Sequence, residues 1–198
     1  MAKYFALRDR RVEGGVPSRS NLSIYNTSDS TPLANAFASI NGVARGSGGK
    51  IHSMFVICHG YAGENTRAQV SMDAGGMGLE LGREGVFHTN VAMWAAIANS
   101  VENIVFYSCA AGDTQPGSEG TEADGRYLMG AVAIHTNANV FAADKIQWYH
   151  KFNDLANGRY EFGAWEGNLL HFPPNGNTPR IVANAPVEFS DVMMGTAP

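Results

Sequence analysis

Basic residues are scarce in this chain of 198 residues, where 14 Lys and Arg face 18 Asp and Glu for a formal charge of -4. Without a basic tract there is no electrostatic footing for nucleic acid or an anionic membrane surface, so neither is expected as a partner. Cysteine is scarcer still. Cys58 and Cys109 are too few for a disulfide scaffold, which fits a reducing compartment. No apolar run approaches a membrane span, and the start, Met1-Ala2-Lys3-Tyr4-Phe5-Ala6-Leu7-Arg8, has no secretory h-region. A cytoplasmic location is the expectation, with export by a route needing no cleaved signal left open. There is no H-E-x-x-H spacing and no G-x-S-x-G elbow, which disfavours zinc peptidases and α/β serine hydrolases. Gly46-Ser47-Gly48-Gly49-Lys50 only mimics a phosphate loop, because Ala44 stands where the first glycine belongs and Ile51 follows the lysine.

What remains is ample apolar material, 44% of the chain, enough for the core of one domain. Leu22-Ser23-Ile24-Tyr25 reads as a short strand, and the cap-rich run Asn26 to Thr31 leads into a helix expected from Pro32 to Ala44. A strand ending at His59 follows, then a Gly-rich loop through Gly75-Gly76, a weak strand at Gly78 to Leu81 and a helix from about Thr89 to Asn99. Next come a strand ending at Cys109, a polar loop from Asp113 to Glu122, a helix from about Ala123 to Thr136, and a strand at Ala138 to Ala143. This alternation predicts an α/β fold with a doubly wound, mostly parallel sheet flanked by helices. Arg159 to Trp165 and Asn168 to Phe172 alternate around Glu166-Gly167, so a C-terminal β-hairpin is expected there. With no internal repeat or low-complexity linker, residues 1–198 form one domain, with a core at about 20–150 and the hairpin and tail at 151–198.

Two strands end in reactive side chains. Ile51-His52-Ser53-Met54-Phe55-Val56-Ile57-Cys58 runs into His59-Gly60, and Asn103-Ile104-Val105-Phe106-Tyr107-Ser108 runs into Cys109-Ala110. Strands this apolar belong at the centre of a parallel sheet, whose ligands sit at the carboxyl ends. A thiol and an imidazole meeting there suffice for nucleophilic catalysis, since the thiolate attacks and the imidazole handles protons. Cys58 precedes His59, so its side chain points to the opposite face of the strand and suits the core; a Cys58-Cys109 disulfide is disfavoured for the same reason. His52 is about 20 Å away along the strand. His88, His135, His150 and His171 suit caps or surface positions, and two cysteines with one adjacent histidine make a poor zinc site, so no metal or cofactor is expected.

The two strand ends carry a resemblance. Phe55-Val56-Ile57-Cys58-His59-Gly60-Tyr61-Ala62-Gly63, and then Val105-Phe106-Tyr107-Ser108-Cys109-Ala110-Ala111-Gly112, resemble the histidine and cysteine motifs of the caspase-like cysteine peptidases, nearest to bacterial CHAT-type domains. The likeness spans roughly residues 50 to 147, and residues 1 to 20 and 150 to 198 lie outside it. It implies an endopeptidase acting on a protein or peptide substrate, with Cys109 as nucleophile, His59 as its proton-handling partner in a dyad, and the N–H groups of Gly60 and Cys109 as oxyanion hole.

By the same resemblance, the substrate pocket would draw on residues beyond the cysteine, where Asp113 and Asp144 would favour Arg or Lys through charge-assisted hydrogen bonds. Asp144 equally suits a cap or turn. The small, polar loop from Asp113 to Glu122 is a candidate ordering switch or self-cleavage site, against the plainer reading of a solvated loop. Caspase-like folds also occur as inactive interaction modules, and the aromatic residues Tyr160, Phe162, Trp165 and Phe172 could form such a face. No oligomeric state follows from the sequence.

Overall fold

The structure, a computed structural model, describes residues 2–61, 75–152 and 159–198. Its strands are β1 (Tyr4–Asp9), β2 (Leu22–Thr27), β3 (Ile51–Ile57), β4 (His59–Gly60), β5 (Leu79–Glu80), β6 (Val101–Tyr107), β7 (Asn139–Ala143), β8 (Tyr149–Phe152), β9 (Arg159–Phe162), β10 (Leu169–Phe172) and β11 (Arg180–Val182). The helices are α1 (Leu33–Gly46), α2 (Gly125–Thr136) and α3 (Phe189–Met194), with a 3-10 helix at Val91–Ile97. Seven strands form one sheet in the order β11-β10-β7-β6-β3-β1-β2; β7, β6, β3, β1 and β2 are parallel, β10 runs antiparallel to β7, and β11 runs antiparallel to β10. The mixed α/β class with a mostly parallel central sheet is as the alternation predicted. Among the described residues, no helix is long and apolar enough to cross a membrane.

Each helix forms for local reasons and docks through one stripe. In α1, Leu33, Ala36, Phe37, Ile40 and Ala44 recur at helical spacing and are the buried positions. Glu84 accepts a hydrogen bond from the Leu33 N–H at 2.9 Å, placing a carboxylate at the positive end of that helix. The Asp124 side chain caps α2 by accepting from the Tyr127 N–H at 3.0 Å, and Asn137 ends it in the left-handed conformation.

The helices do not divide evenly between the sheet faces. The buried stripes of α1, the 3-10 helix and α2 share one cluster with Phe5, Met54, Val56, Ile104 and Phe106. The opposite face, with Tyr4, Phe55, Tyr107 and Phe141, is covered by α3 and residues from β8 and β9. Topology accounts for this departure from double winding: the steps β2 to β3, β3 to β6 and β6 to β7 all move the same way across the sheet, and crossovers of one hand then fall on one face. Only the step from β1 to β2 runs the other way. The chain therefore leaves β1 and β3 in opposite directions, and ligands of open α/β sheets bind beside the carboxyl ends of strands at such a switch point.

Two expectations change at the carboxyl-terminal end. β9 pairs with β8, forming the ribbon Tyr149↔Phe162 to Phe152↔Arg159, while β10 joins the main sheet beside β7. The physical reason is burial: all four residues of β10 are buried, so it needs both faces covered, which a two-stranded hairpin with β9 would not provide. β1 was not anticipated at all, although it lies between β2 and β3 with five of six residues buried.

Candidate active site

His59 and Cys109 emerge beside one another, because β3 and β6 are neighbours in the sheet and both chains break at the same rim, just past Ile57↔Tyr107. β4 carries His59-Gly60 out of the sheet and pairs it with β5, His59 opposite Glu80 and Gly60 opposite Leu79. The Cα of Gly60 lies against the Cys109 backbone so closely that a Cβ would run into the Cys109 carbonyl. Only glycine permits that approach.

The backbone N–H groups of Gly60 and Gln147 lie close enough to the Cys109 sulfur to favour its anionic form. Both donors favour a thiolate, but half-burial outweighs them and raises the thiol pKa above its ordinary value. Cys109 therefore rests as a neutral thiol. Its own N–H meets no acceptor among the described residues. Ala110, fully buried, has φ 46°, a left-handed conformation that costs a non-glycine residue about 1 kcal/mol. The strain is held by the Ala110 N–H donating to the Lys145 carbonyl at 2.9 Å and its carbonyl accepting from Gly76 at 3.0 Å. The nucleophile candidate thus sits on a sharp elbow, with the Ser108 hydroxyl buried beside it and unpartnered among the described residues.

At the end of β3, His59 Nε2 lies 3.3 Å from the Arg11 carbonyl. A carbonyl can only accept, so Nε2 carries the hydrogen in this contact. Arg11 is held by Asp9, whose fully buried carboxylate accepts from the Arg11 N–H, Nε and Nη2, from Thr27 Oγ1 and from the Gly82 N–H, at 2.8 to 3.1 Å. Burial pushes the Asp9 pKa up, but the hydrogen bonds from Arg11 and Gly82 prevail and hold it below the usual carboxylate value. Through Asp9, the end of β1 sets the carbonyl that meets His59.

Cys58 is buried in the helix-side core, and burial drives its thiol pKa far up. Both cysteines are free thiols. Ala62 and Gly63, the end of the histidine motif, lie outside the described residues, as does the side chain of His150. His52 pairs with Ser53 Oγ at 2.9 Å, His88 with the Asp124 carbonyl at 3.1 Å, and His171 with Asn139 Oδ1 at 2.9 Å.

The two aspartates proposed for the substrate pocket are occupied elsewhere. Asp113 accepts from the Gly75 N–H and the Gln115 amide, and Asp144 accepts from the Asn168 N–H and side chain at 2.8 and 2.9 Å. Both are nearly buried, at 8% exposure, and their hydrogen bonds hold loops together. The loop from Asp113 to Glu122 is itself pinned at its base, where Asp124 accepts from Thr114 Oγ1 and the Gly120 N–H.

Arg11 and Gln147 are contributors that side-chain motifs could not have revealed, since each acts through its backbone. Compared with protein-family models, with curated proteins and with solved structures, the chain matches none.

Proposed function

We propose that this chain is a cysteine endopeptidase of caspase-like type with a Cys109-His59 dyad. The observation that carries the reading is the approach of Gly60 to Cys109, so close that a Cβ on Gly60 would meet the Cys109 carbonyl, which joins the histidine and cysteine strand ends at one point. His59 takes the thiol proton as Sγ bonds to the substrate carbonyl carbon, and the carbonyl oxygen becomes an oxyanion beside the N–H groups of Gly60 and Cys109. Collapse of the tetrahedral adduct breaks the C–N bond, with the proton passing from His59 to the leaving amine. Water, deprotonated by His59, then attacks the thioester; the acid leaves and the thiol is restored. Each oxyanion donor is worth about 3 kcal/mol of transition-state stabilisation.

A neutral resting thiol also suits the second reading, a catalytically silent interaction module of the same fold. One experiment separates the two. Wild-type protein and the Cys109→Ala and His59→Ala variants are assayed for cleavage of a mixed peptide library and for modification by an electrophilic thiol probe at neutral pH. The enzyme reading expects cleavage abolished in Cys109→Ala and probe uptake at Cys109 that depends on His59. No cleavage by wild type, or uptake indifferent to His59, supports the silent module, and cleavage that persists in Cys109→Ala excludes Cys109 as the nucleophile.

A further inference from the structure

A groove of about 400 Å³ lies between α2 and the connection from β10 to β11. Its floor is Tyr127, Gly130 and Ile134, one stripe of α2 at helical spacing, and its far wall is Phe172, Pro173 and Pro179. Tyr127 and Ile134 are 58% and 54% exposed, so this stripe meets solvent while Leu128, Met129 and Val132 fill the core. Both side chains are nonetheless held in place. The Tyr127 ring stacks on His88 with centroids 5.0 Å apart, and Ile134 lies beside Gly176, in the turn closed by the Gly176 N–H donating to the Pro173 carbonyl at 3.3 Å. Adjoining apolar side chains kept in water on a fixed surface mark an interaction site.

Gly130 gives the groove its depth. Glycine weakens a helix interior relative to alanine, and here a Cβ would meet nothing within 4 Å, so the protein's own packing does not require it. The charge of the groove is one-sided. Arg126 and His135 line it on either side of the stripe and, among the described residues, no acidic side chain does, in a chain whose formal charge is -4. Asp124, the acid nearest Arg126 in the chain, is buried in the α2 cap, where it accepts from Thr114 Oγ1, the Gly120 N–H and the Tyr127 N–H. Along the helix axis Arg126 and His135 stand about 13 Å apart at roughly 1.5 Å per residue, the reach of about four residues of extended chain. One small carboxylate cannot meet both, and a second copy presenting the same groove would set Arg126 against Arg126.

We infer that this groove docks a short acidic segment of another protein, with one large apolar side chain seated over Gly130 between Tyr127 and Ile134 and carboxylates on either side meeting Arg126 and His135. Burial of the apolar side chain anchors the segment, and the charges select it and set its register. None of the lining residues belongs to the Cys109 site, so the inference is independent of the peptidase reading.

The test selects randomised dodecapeptides displayed on phage against the full chain carrying Cys109→Ala, a background that removes the proposed nucleophile, with counter-selection against the same chain carrying Gly130→Leu as well. Gly130→Leu fills the groove, and its thermal melt should lie no lower than that of its parent, because leucine is the better helix former. Arg126→Glu, at an exposed side chain, is the second variant. Surviving peptides should carry one large apolar residue with Asp or Glu on both sides. A synthetic peptide of that consensus should bind saturably and lose about tenfold or more in affinity with Gly130→Leu and about fivefold or more with Arg126→Glu. The inference is overturned if no peptide distinguishes the two selection targets, if the survivors show no acidic enrichment, or if Arg126→Glu leaves the affinity unchanged. Saturable binding of 2-naphthoate where no peptide binds also overturns it, and marks a small-carboxylate site instead.

Discussion

Gly60 meets Cys109 twice over, its N–H close to the sulfur and its Cα packed against the carbonyl. The first contact needs the second, because the N–H reaches the sulfur only when nothing on Cα holds the two strand ends apart.

Replacing Gly60 by Ala should therefore cost activity and stability together. The added Cβ meets backbone atoms of Cys109, which have no flexible end to swing away. Peptidase turnover is expected to fall at least 100-fold and unfolding stability by about 2 kcal/mol, read by initial rates and by urea titration.

Cys109→Ala should keep the fold and remove turnover. The residue is half-buried, so the loss of stability should stay near 1 kcal/mol. A chevron-free equilibrium titration alongside the activity assay separates the two effects.

Burial raises the Cys109 pKa, so the thiolate is a smaller fraction at neutral pH than in a free cysteine. Alkylation of the folded protein by a small neutral reagent such as iodoacetamide should climb through the alkaline range, above the midpoint of the same protein unfolded in guanidinium. Folding stability moves the other way. The group holds its proton longer when folded, so its contribution is complete below the unfolded pKa and is lost as pH rises through the folded one.

Asp9 is held below its ordinary pKa, which gives stability above the unfolded value that is lost as pH falls through the folded one. Asp9→Asn should cost about 3 kcal/mol at neutral pH, because the Arg11 and Gly82 donors lose their anionic acceptor. The variant should also show a flatter decline of stability between pH 5 and about pH 2, as followed by thermal melts.

Self-cleavage in the loop from Asp113 to Glu122 is tested by intact mass after prolonged incubation. A nick in wild type that is missing in Cys109→Ala is the expected result if the loop is processed by its own active site; an equal nick in both assigns it to another protease.

The sequence exposed the parallel core because β3 and β6 are apolar on both faces, and the site because both reactive side chains follow those runs directly. β1 escaped notice since Tyr4-Phe5-Ala6-Leu7-Arg8-Asp9 has too short a pattern, and its place is fixed by pairing with β2 and β3, residues far away in the chain. The hairpin expectation failed for a related reason. The Glu166-Gly167 turn suits a local reversal, yet Asp144 binds Asn168 and delivers the next strand to β7 instead. Ala110 carries no sequence mark of its left-handed backbone, and the contributions of Arg11 and Gln147 are carbonyl and N–H groups that every residue has.

The central claim is that His59 activates the Cys109 sulfur, and the most direct test is the neutral-pH alkylation rate of Cys109 by a peptidyl electrophile, site-mapped by mass spectrometry, in wild type and His59→Ala. The account predicts modification at Cys109, with Cys58 untouched, and a rate at least tenfold lower in the variant. Equal rates in the two proteins, or modification of Cys58 in preference to Cys109, would contradict it.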